Sequence, residues 1–139
     1  MARGGLTAEG AGTLVLDSQG LSLYLAQDRA VLNLVQVALS RGAHRVVSGV
    51  TLLEAHHAKV QEARWNYVLS QLDIRPMTVE WFREATALLG AVGLHGHKYA
   101  IDAMVAVTAL HQPEPVVMLT SDVDDMSKLC GDRLTYIAL

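Results

Sequence analysis

Nearly every position between residues 99 and 110 (YAIDAMVAVTAL) is apolar, and this pattern predicts a helix that is buried on all sides. Its one charged residue is Asp102, close to the start of the helix. An ionised carboxylate that leaves water destabilises a protein by several kcal/mol unless it is paired, hydrogen-bonded or bound to a cation. Asp102 therefore either has a structural partner or faces a cleft that holds a cation.

Short apolar runs elsewhere predict buried strands, and segments with helical spacing lie between them. The predicted strands are residues 13–16, 45–48, 72–75, 116–119 and 134–138. The predicted helices are residues 21–26, 29–40, 50–63, 66–71, 78–92, 99–110 and 122–130, with a loop at 94–97. Strands that alternate with helices are typical of a parallel sheet covered on both faces. The sequence thus predicts an α/β domain with four to five parallel strands over residues 13–139, after a flexible leader at 1–12.

The composition fits one globular domain, because 139 residues that are 51% hydrophobic can bury a sizeable core. The net charge of −3 gives no overall attraction to nucleic acid, so such contact requires a local basic patch. A single cysteine, Cys130, excludes an internal disulfide and fits a reducing compartment. The N-terminal residues do not resemble a secretion signal, and no apolar run reaches the length of a membrane span. We therefore expect a cytoplasmic protein.

Four acidic residues follow predicted strands or begin predicted helices. Asp17 follows the first strand and Asp122 the fourth, while Glu54 and Asp102 lie early in their helices. Ligands of an open parallel sheet bind beyond the carboxyl ends of its strands, so these acids are expected to converge there. Taken singly, Asp17 could form an Asx turn, Asp122 could cap a helix and Glu54 could be a surface residue. Taken together, the four acids favour a metal site.

Carboxylates without a thiolate among them are the ligands that Mg²⁺ and Mn²⁺ prefer. Such a cation lowers the pKa of a bound water and neutralises a phosphate oxygen, which suits in-line hydrolysis of a phosphodiester. Ser18 and Thr120 are secondary candidates because their hydroxyls lie beside Asp17 and Asp122, although hydroxyls at such turns often bond the backbone instead. Asp125 is a third, because it lies about one turn beyond Asp122.

The segments LVLDS at Asp17, IDAMVAVTAL at Asp102 and LTSD at Asp122, with Glu54 in the helix after the second strand, resemble the PIN domain. The likeness extends over residues 13–139 and is greatest to the VapC-like toxin ribonucleases of bacterial toxin–antitoxin pairs. The resemblance implies a PIN-like three-layer α/β/α fold and a Mg²⁺- or Mn²⁺-dependent endoribonuclease site at those four acids. It also implies a homodimer and a small antitoxin that blocks the cleft. The Gln19–Gly20 pair departs from the family, in which small or aliphatic residues are more usual.

Basic residues and histidines add weaker indications. Lys98, which precedes the Asp102 helix, and Lys59 are candidates for RNA contact, although lysines are also common on solvated faces. His95 and His97 are closely spaced, but they have no evident third ligand for zinc.

Other functions compete with the nuclease. A receiver-like phosphoacceptor needs two acids after the first strand and a late lysine, but Asp17 stands alone and residues 116–121 contain no lysine. A haloacid-dehalogenase-type phosphatase needs Asp-x-Asp, and Gln19 occupies the third position. The sequence does not separate the nuclease from a catalytically idle PIN-fold protein that binds RNA or acts as a scaffold.

Overall fold

The structure, a computed structural model, describes residues 9–139, and residues 1–8 of the predicted leader lie outside this range. The strands are Thr13–Leu16 (β1), His44–Ser48 (β2), Asp73–Arg75 (β3), Val116–Thr120 (β4) and Thr135–Ala138 (β5). The helices are Ser18–Leu25 (α1), Arg29–Ser40 (α2), Thr51–Ala55 (α3), Glu62–Ser70 (α4), Val79–Val92 (α5), Gly96–Leu110 (α6) and Val123–Cys130 (α7). A 3₁₀ turn at Gly131–Arg133 precedes β5. The predicted alternation of strands and helices is confirmed.

β1 is the central strand of a five-stranded sheet in the order β3-β2-β1-β4-β5, in which every pair is parallel. Leu16 is aligned with Val47 of β2 and with Leu119 of β4, so these three strands end at nearly the same level. The chain extends the sheet to one side of β1 with β2 and β3, and to the other side with β4 and β5. Such a reversal opens a crevice at the carboxyl ends of the strands, where ligands of α/β sheets bind.

Side chains of β1 alternate between two hydrophobic layers, and all four of its residues are buried. Leu14 and Leu16 pack in one cluster with Leu21 of α1 and Val31 of α2. Val15 packs on the opposite face of the sheet, in a cluster that includes residues of α6 and α7. The central strand therefore has no polar face, which is the reason that it appears in the sequence as a continuous apolar run.

α6 is the buried helix that the sequence predicts, since Ala103 and residues 105–109 are all buried. It begins at Gly96, three residues earlier than predicted, because the N–H groups of Lys98 and Tyr99 both bond to the carbonyl of His95. Tyr99 departs from helical geometry (φ −113°, ψ 15°), so the main segment of the helix starts after it. Although α6 is largely apolar, no helix within residues 9–139 is long and apolar enough to cross a membrane.

The predicted helix over residues 50–63 is wrong, because the chain forms the short helix α3 and then a loop before α4. α3 buries Thr51 and Ala55 against the domain. Four of the next five residues, 56–60, are exposed and only Val60 packs against the core, so the segment lacks the continuous apolar face of a packed helix and α3 ends at Ala55. Glu54 remains on the helix that follows β2, as predicted.

Candidate metal centre

Asp17 directly follows β1, is only 5% exposed, and is held by backbone groups from two parts of the chain. Its Oδ1 accepts a hydrogen bond from the N–H of Gly20 at 2.8 Å, and its Oδ2 accepts one from the N–H of Ser121 at 3.1 Å. Gly20 suits this turn because a Cβ atom there would lie 3.2 Å from the Leu16 side chain and 3.4 Å from the Leu119 carbonyl oxygen. Asp17 therefore caps α1 and also reaches across to the end of β4.

Burial raises the pKa of Asp17 above its ordinary value, and the carboxylate of Asp122 adds to this effect. The hydrogen bonds from Gly20, Thr120 and Ser121 act in the opposite direction but do not cancel the effect of burial. An acid that keeps a raised pKa in spite of three hydrogen bonds lies in a poorly solvated and negatively charged environment.

Thr120 ends β4 and fixes the turn that leads to Asp122. Its Oγ1 accepts a hydrogen bond from the N–H of Asp122 at 2.9 Å, and its side chain also bonds to Asp17. Asp122 occupies the position before α7, but its exposed carboxylate makes no capping hydrogen bond to that helix. The capping role that the sequence left open for Asp122 is therefore absent. Asp17, for which the sequence left open an Asx turn, is the residue that caps a helix.

Asp102 lies in the first turn of the main segment of α6, on the side of the helix that faces the sheet. Val105 and Ala106, three and four residues further along, pack in one cluster with Val15 of β1. Residues three or four apart share a helix face. Asp102 therefore lies on the same face of α6 as Val105 and Ala106, one turn closer to the start of the helix. Asp17, two residues after Val15, continues the same face of the strand towards the carboxyl edge.

Burial, and after it the carboxylates of Asp122, Asp125, Asp17 and Glu54 in that order of effect, together raise the pKa of Asp102 to about 6. The three other predicted acids and the secondary candidate Asp125 therefore all act on one carboxyl group. Asp124 and Asp125 both belong to the first turn of α7, but only Asp125 is among these charges. The fold has gathered acids from α3, α6, α7 and the end of β1 into one negatively charged region.

The carboxylates do not form a preformed ligand cluster. Within residues 9–139, no three His, Cys, Asp or Glu side chains lie close enough together to hold a metal ion. The residues nonetheless fit a hard divalent cation in chemistry, because their donors are carboxylate oxygens and their mutual repulsion would be offset by positive charge. The assignment of Asp17, Glu54, Asp102 and Asp122 as ligands stays a prediction.

The remaining candidates lie at varying distance from this region. Ser18 is the half-buried first residue of α1, directly after Asp17. Lys98 is exposed at the start of α6, with its Nζ atom 5.2 Å from the centre of the Tyr99 ring. Lys59 lines a separate cavity of about 340 Å³ with His57 and Arg64, and no acid of the described chain is among the residues lining that cavity.

Sequence reasoning missed two kinds of group at this edge. The backbone N–H groups of Gly20 and Ser121 hold Asp17, and their positions follow only from the folded turns. Ser48, the last residue of β2, is fully buried although it is polar. A polar residue that closes an apolar strand is the only signal that could have drawn attention to it.

No protein-family model matches the sequence, and no curated protein sequence matches it either. Among solved structures, the chain is similar to one in the crystal structure of VapBC2 from Rickettsia felis bound to a DNA fragment from their promoter. The TM-score is 0.69 at 15% sequence identity, and the match covers 91% of this chain and 98% of that chain. At this identity the likeness concerns the fold alone. The predicted PIN-like α/β fold with a central parallel sheet is thereby confirmed, with five strands.

Proposed function

We propose that this protein is a metal-dependent endoribonuclease that hydrolyses RNA phosphodiester bonds and acts as the toxin of a toxin–antitoxin pair. The observation that carries the proposal is the state of Asp102, a half-buried acid whose pKa is raised to about 6 by burial and by four other carboxylates. Strongly perturbed acids in a cleft are characteristic of functional sites. Their position at the carboxyl ends of β1 and β4 is also where this class of sheet binds its ligands.

Asp17, Glu54, Asp102 and Asp122 would hold one or two Mg²⁺ or Mn²⁺ ions. When bound, the cation supplies an activated water and neutralises charge on the phosphate. The protein contributes rigidity through Asp17, whose carboxylate is fixed by two backbone N–H groups. It contributes access through Asp122, whose side chain is exposed. Lys98, exposed at the start of the Asp102 helix, is our first candidate for holding the RNA backbone, and Lys59, which lines a separate cavity, is the second.

The similarity to a chain of the VapBC2 complex supports the remaining parts of the proposal. The name of that complex agrees with the VapC-like family suggested by the sequence motifs. We propose by analogy a small antitoxin as the partner of this chain, and a homodimer as its assembly.

An RNA cleavage assay tests the proposal. The purified protein should cleave single-stranded RNA with Mn²⁺ or Mg²⁺, and it should not do so with a chelator. Asp102→Asn should abolish cleavage, because it removes one charge at the centre of the acidic region. Asp124→Asn is the matched control, since Asp124 is an exposed acid of the same helix turn whose charge is not among those that raise the pKa of Asp102. Metal binding without cleavage of any RNA would instead favour the idle scaffold.

A further inference from the structure

Ser48 is buried at the carboxyl edge of the sheet and has no partner for its hydroxyl group. It is 0% exposed, and among residues 9–139 no group forms a hydrogen bond with its Oγ atom. Its backbone is satisfied in the ordinary way, because the carbonyl of Ser48 accepts a hydrogen bond from the Thr51 hydroxyl at 2.8 Å. The unpartnered polar atom therefore belongs to the Ser48 side chain and not to the turn. The other such atom among residues 9–139 is Nε of Arg75, the residue aligned with Ser48 in β3.

The register of the sheet places Ser48 beside Asp17. Leu16 is aligned with Val47, so the residues that follow them, Asp17 and Ser48, lie at the same level at the ends of neighbouring strands. Parallel neighbours are about 4.8 Å apart across the sheet, which is within reach of a single bridging group. The acid and the hydroxyl are thus adjacent at the edge where the candidate metal centre lies.

The pleat directs both side chains to the face covered by α6. Val46 and Val15 pack in one cluster with Val105 and Ala106 of that helix, whereas Val47 packs in the cluster on the other face. Because side chains alternate along a strand, Ser48 points to the same side as Val46. Asp102 lies one helical turn before Val105 and Ala106. The Ser48 side chain is therefore on the same face of the sheet as Asp17, the face that Asp102 of α6 covers.

A buried hydroxyl without a partner is costly, so its presence calls for a partner that is bound in the functional state. Resting on the proposed function, we propose that Ser48 is a positioning residue of the metal centre. Its hydroxyl bonds to the hydration shell of the bound divalent cation and orients that shell against Asp17. Residues of this kind, which touch the shell and not the metal, typically change metal affinity by about 10- to 100-fold when they are removed.

Ser48→Ala tests the inference through Mn²⁺ binding measured by calorimetry and through thermal melting in chelator. We expect a dissociation constant for Mn²⁺ about tenfold weaker than that of wild type. In chelator the variant should melt at the same temperature or higher, because it loses a hydroxyl that the metal-free protein leaves unpaired. If the hydroxyl were purely structural, Ser48→Ala would bind Mn²⁺ as tightly as the wild type and would melt at a lower temperature.

Thr13→Val is the matched control. Thr13 is also a buried residue of the sheet, but it lies at the amino end of β1 and its hydroxyl donates to the carbonyl of Pro113 at 2.8 Å. Removing this partnered hydroxyl should lower the melting temperature by about 3 °C and leave Mn²⁺ affinity unchanged.

Two results would overturn the assignment of Ser48 while leaving the metal centre intact. The first is that Ser48→Ala binds Mn²⁺ as tightly as the wild type, while Asp102→Asn no longer binds it. The second is that Ser48→Ala melts at a clearly lower temperature than the wild type in chelator. Failure of the wild-type protein itself to bind Mn²⁺ would remove both the inference and the proposed function.

Discussion

Asp17 and Ser121 are joined by a hydrogen bond of 3.1 Å although they are 104 positions apart in the chain. The bond runs from the N–H group of Ser121 to Oδ2 of Asp17, and it ties the end of β1 to the turn after β4. The other carboxylate oxygen of Asp17 caps α1 through Gly20. One residue therefore stabilises the crevice of the sheet and supplies a carboxylate to the acidic region inside it.

Because Asp17 accepts two backbone hydrogen bonds, its alanine and asparagine variants should differ in their free energy of unfolding. Asp17→Ala leaves two backbone N–H groups without an acceptor, and we expect it to lower the free energy of unfolding by about 2–4 kcal/mol. Asp17→Asn keeps one acceptor oxygen, so its loss should be about half as large. Urea denaturation followed by circular dichroism measures both. Equal stability of the alanine variant and the wild type would show that these bonds do not contribute.

Substitution of Asp122, in contrast to that of Asp17, should change Mn²⁺ binding but not stability. Its side chain is exposed and caps nothing, so Asp122→Ala should change the free energy of unfolding by less than about 0.5 kcal/mol. The same variant should bind Mn²⁺ much more weakly, because a proposed ligand is gone. Asp124→Ala, in the same region, should change neither quantity. Unchanged Mn²⁺ binding in Asp122→Ala would argue against its role as a ligand.

Cys130 is expected to be chemically inert in the folded protein. It is buried, and burial raises the pKa of its thiol to about 11, so almost no reactive thiolate is present at neutral pH. A colorimetric thiol reagent should modify the protein slowly in buffer and rapidly in guanidinium. Rapid modification of the native protein would contradict the observed packing of α7.

The sequence allowed β1 and α6 to be predicted because β1 is wholly buried and α6 is buried at Ala103 and residues 105–109, which leaves an almost uninterrupted apolar pattern. The apolar pattern could not predict where the helix after β2 ends. Residues 56–60 carry no strong helix breaker, and α3 ends where four consecutive residues are exposed and only Val60 after them packs on the core. Local composition does not contain that information.

The position of the acids at one edge of the sheet could be predicted because it follows from the order of strands and helices. Placing four acids at the ends of strands and starts of helices was enough to expect them at one edge, and each of the other three acts on Asp102 in the folded chain. The unpartnered hydroxyl of Ser48 could not be recognised, because a missing hydrogen-bond partner is a property of the packed structure. The two hydrogen bonds of Asp17, to Gly20 in α1 and to Ser121 after β4, could also not be predicted, because they depend on the folded turns.

Expression without a partner protein offers a cellular prediction. If the chain is the toxin of a pair, inducing it alone in a bacterial host should arrest growth, and Asp102→Asn should remove the arrest. Asp124→Asn should arrest growth as strongly as the wild type. Colony counts after induction measure the effect, with protein levels compared by immunoblot. Arrest by the Asp102→Asn protein at equal abundance would assign the harm to another cause.

Asp102 links the stability of the metal-free domain to pH. Its pKa is raised from 3.8 to about 6 in the folded protein, so folding disfavours its ionised form. Below the unfolded pKa the group is neutral in both states and has no effect. The destabilisation grows as pH rises from about 4 to about 6 and is constant above that. A shift of this size corresponds to about 3 kcal/mol for a fully buried group, and solvent screening of the half-buried Asp102 reduces it to the order of 1 kcal/mol.

Asp102→Asn removes this ionisation while keeping the size of the side chain. In chelator at pH 7 the variant should therefore melt about 3 °C higher than the wild type, and the difference should shrink as pH falls from 6 to 4. Free Mn²⁺ at about a hundred times its dissociation constant should stabilise the wild type by about 2.7 kcal/mol, and the variant much less. Thermal melts of both proteins across this pH range, with chelator and with Mn²⁺, measure these effects together. A difference in melting temperature that does not change with pH would mean that Asp102 is not strained by its charge. An equal response to Mn²⁺ would mean that it is not a ligand.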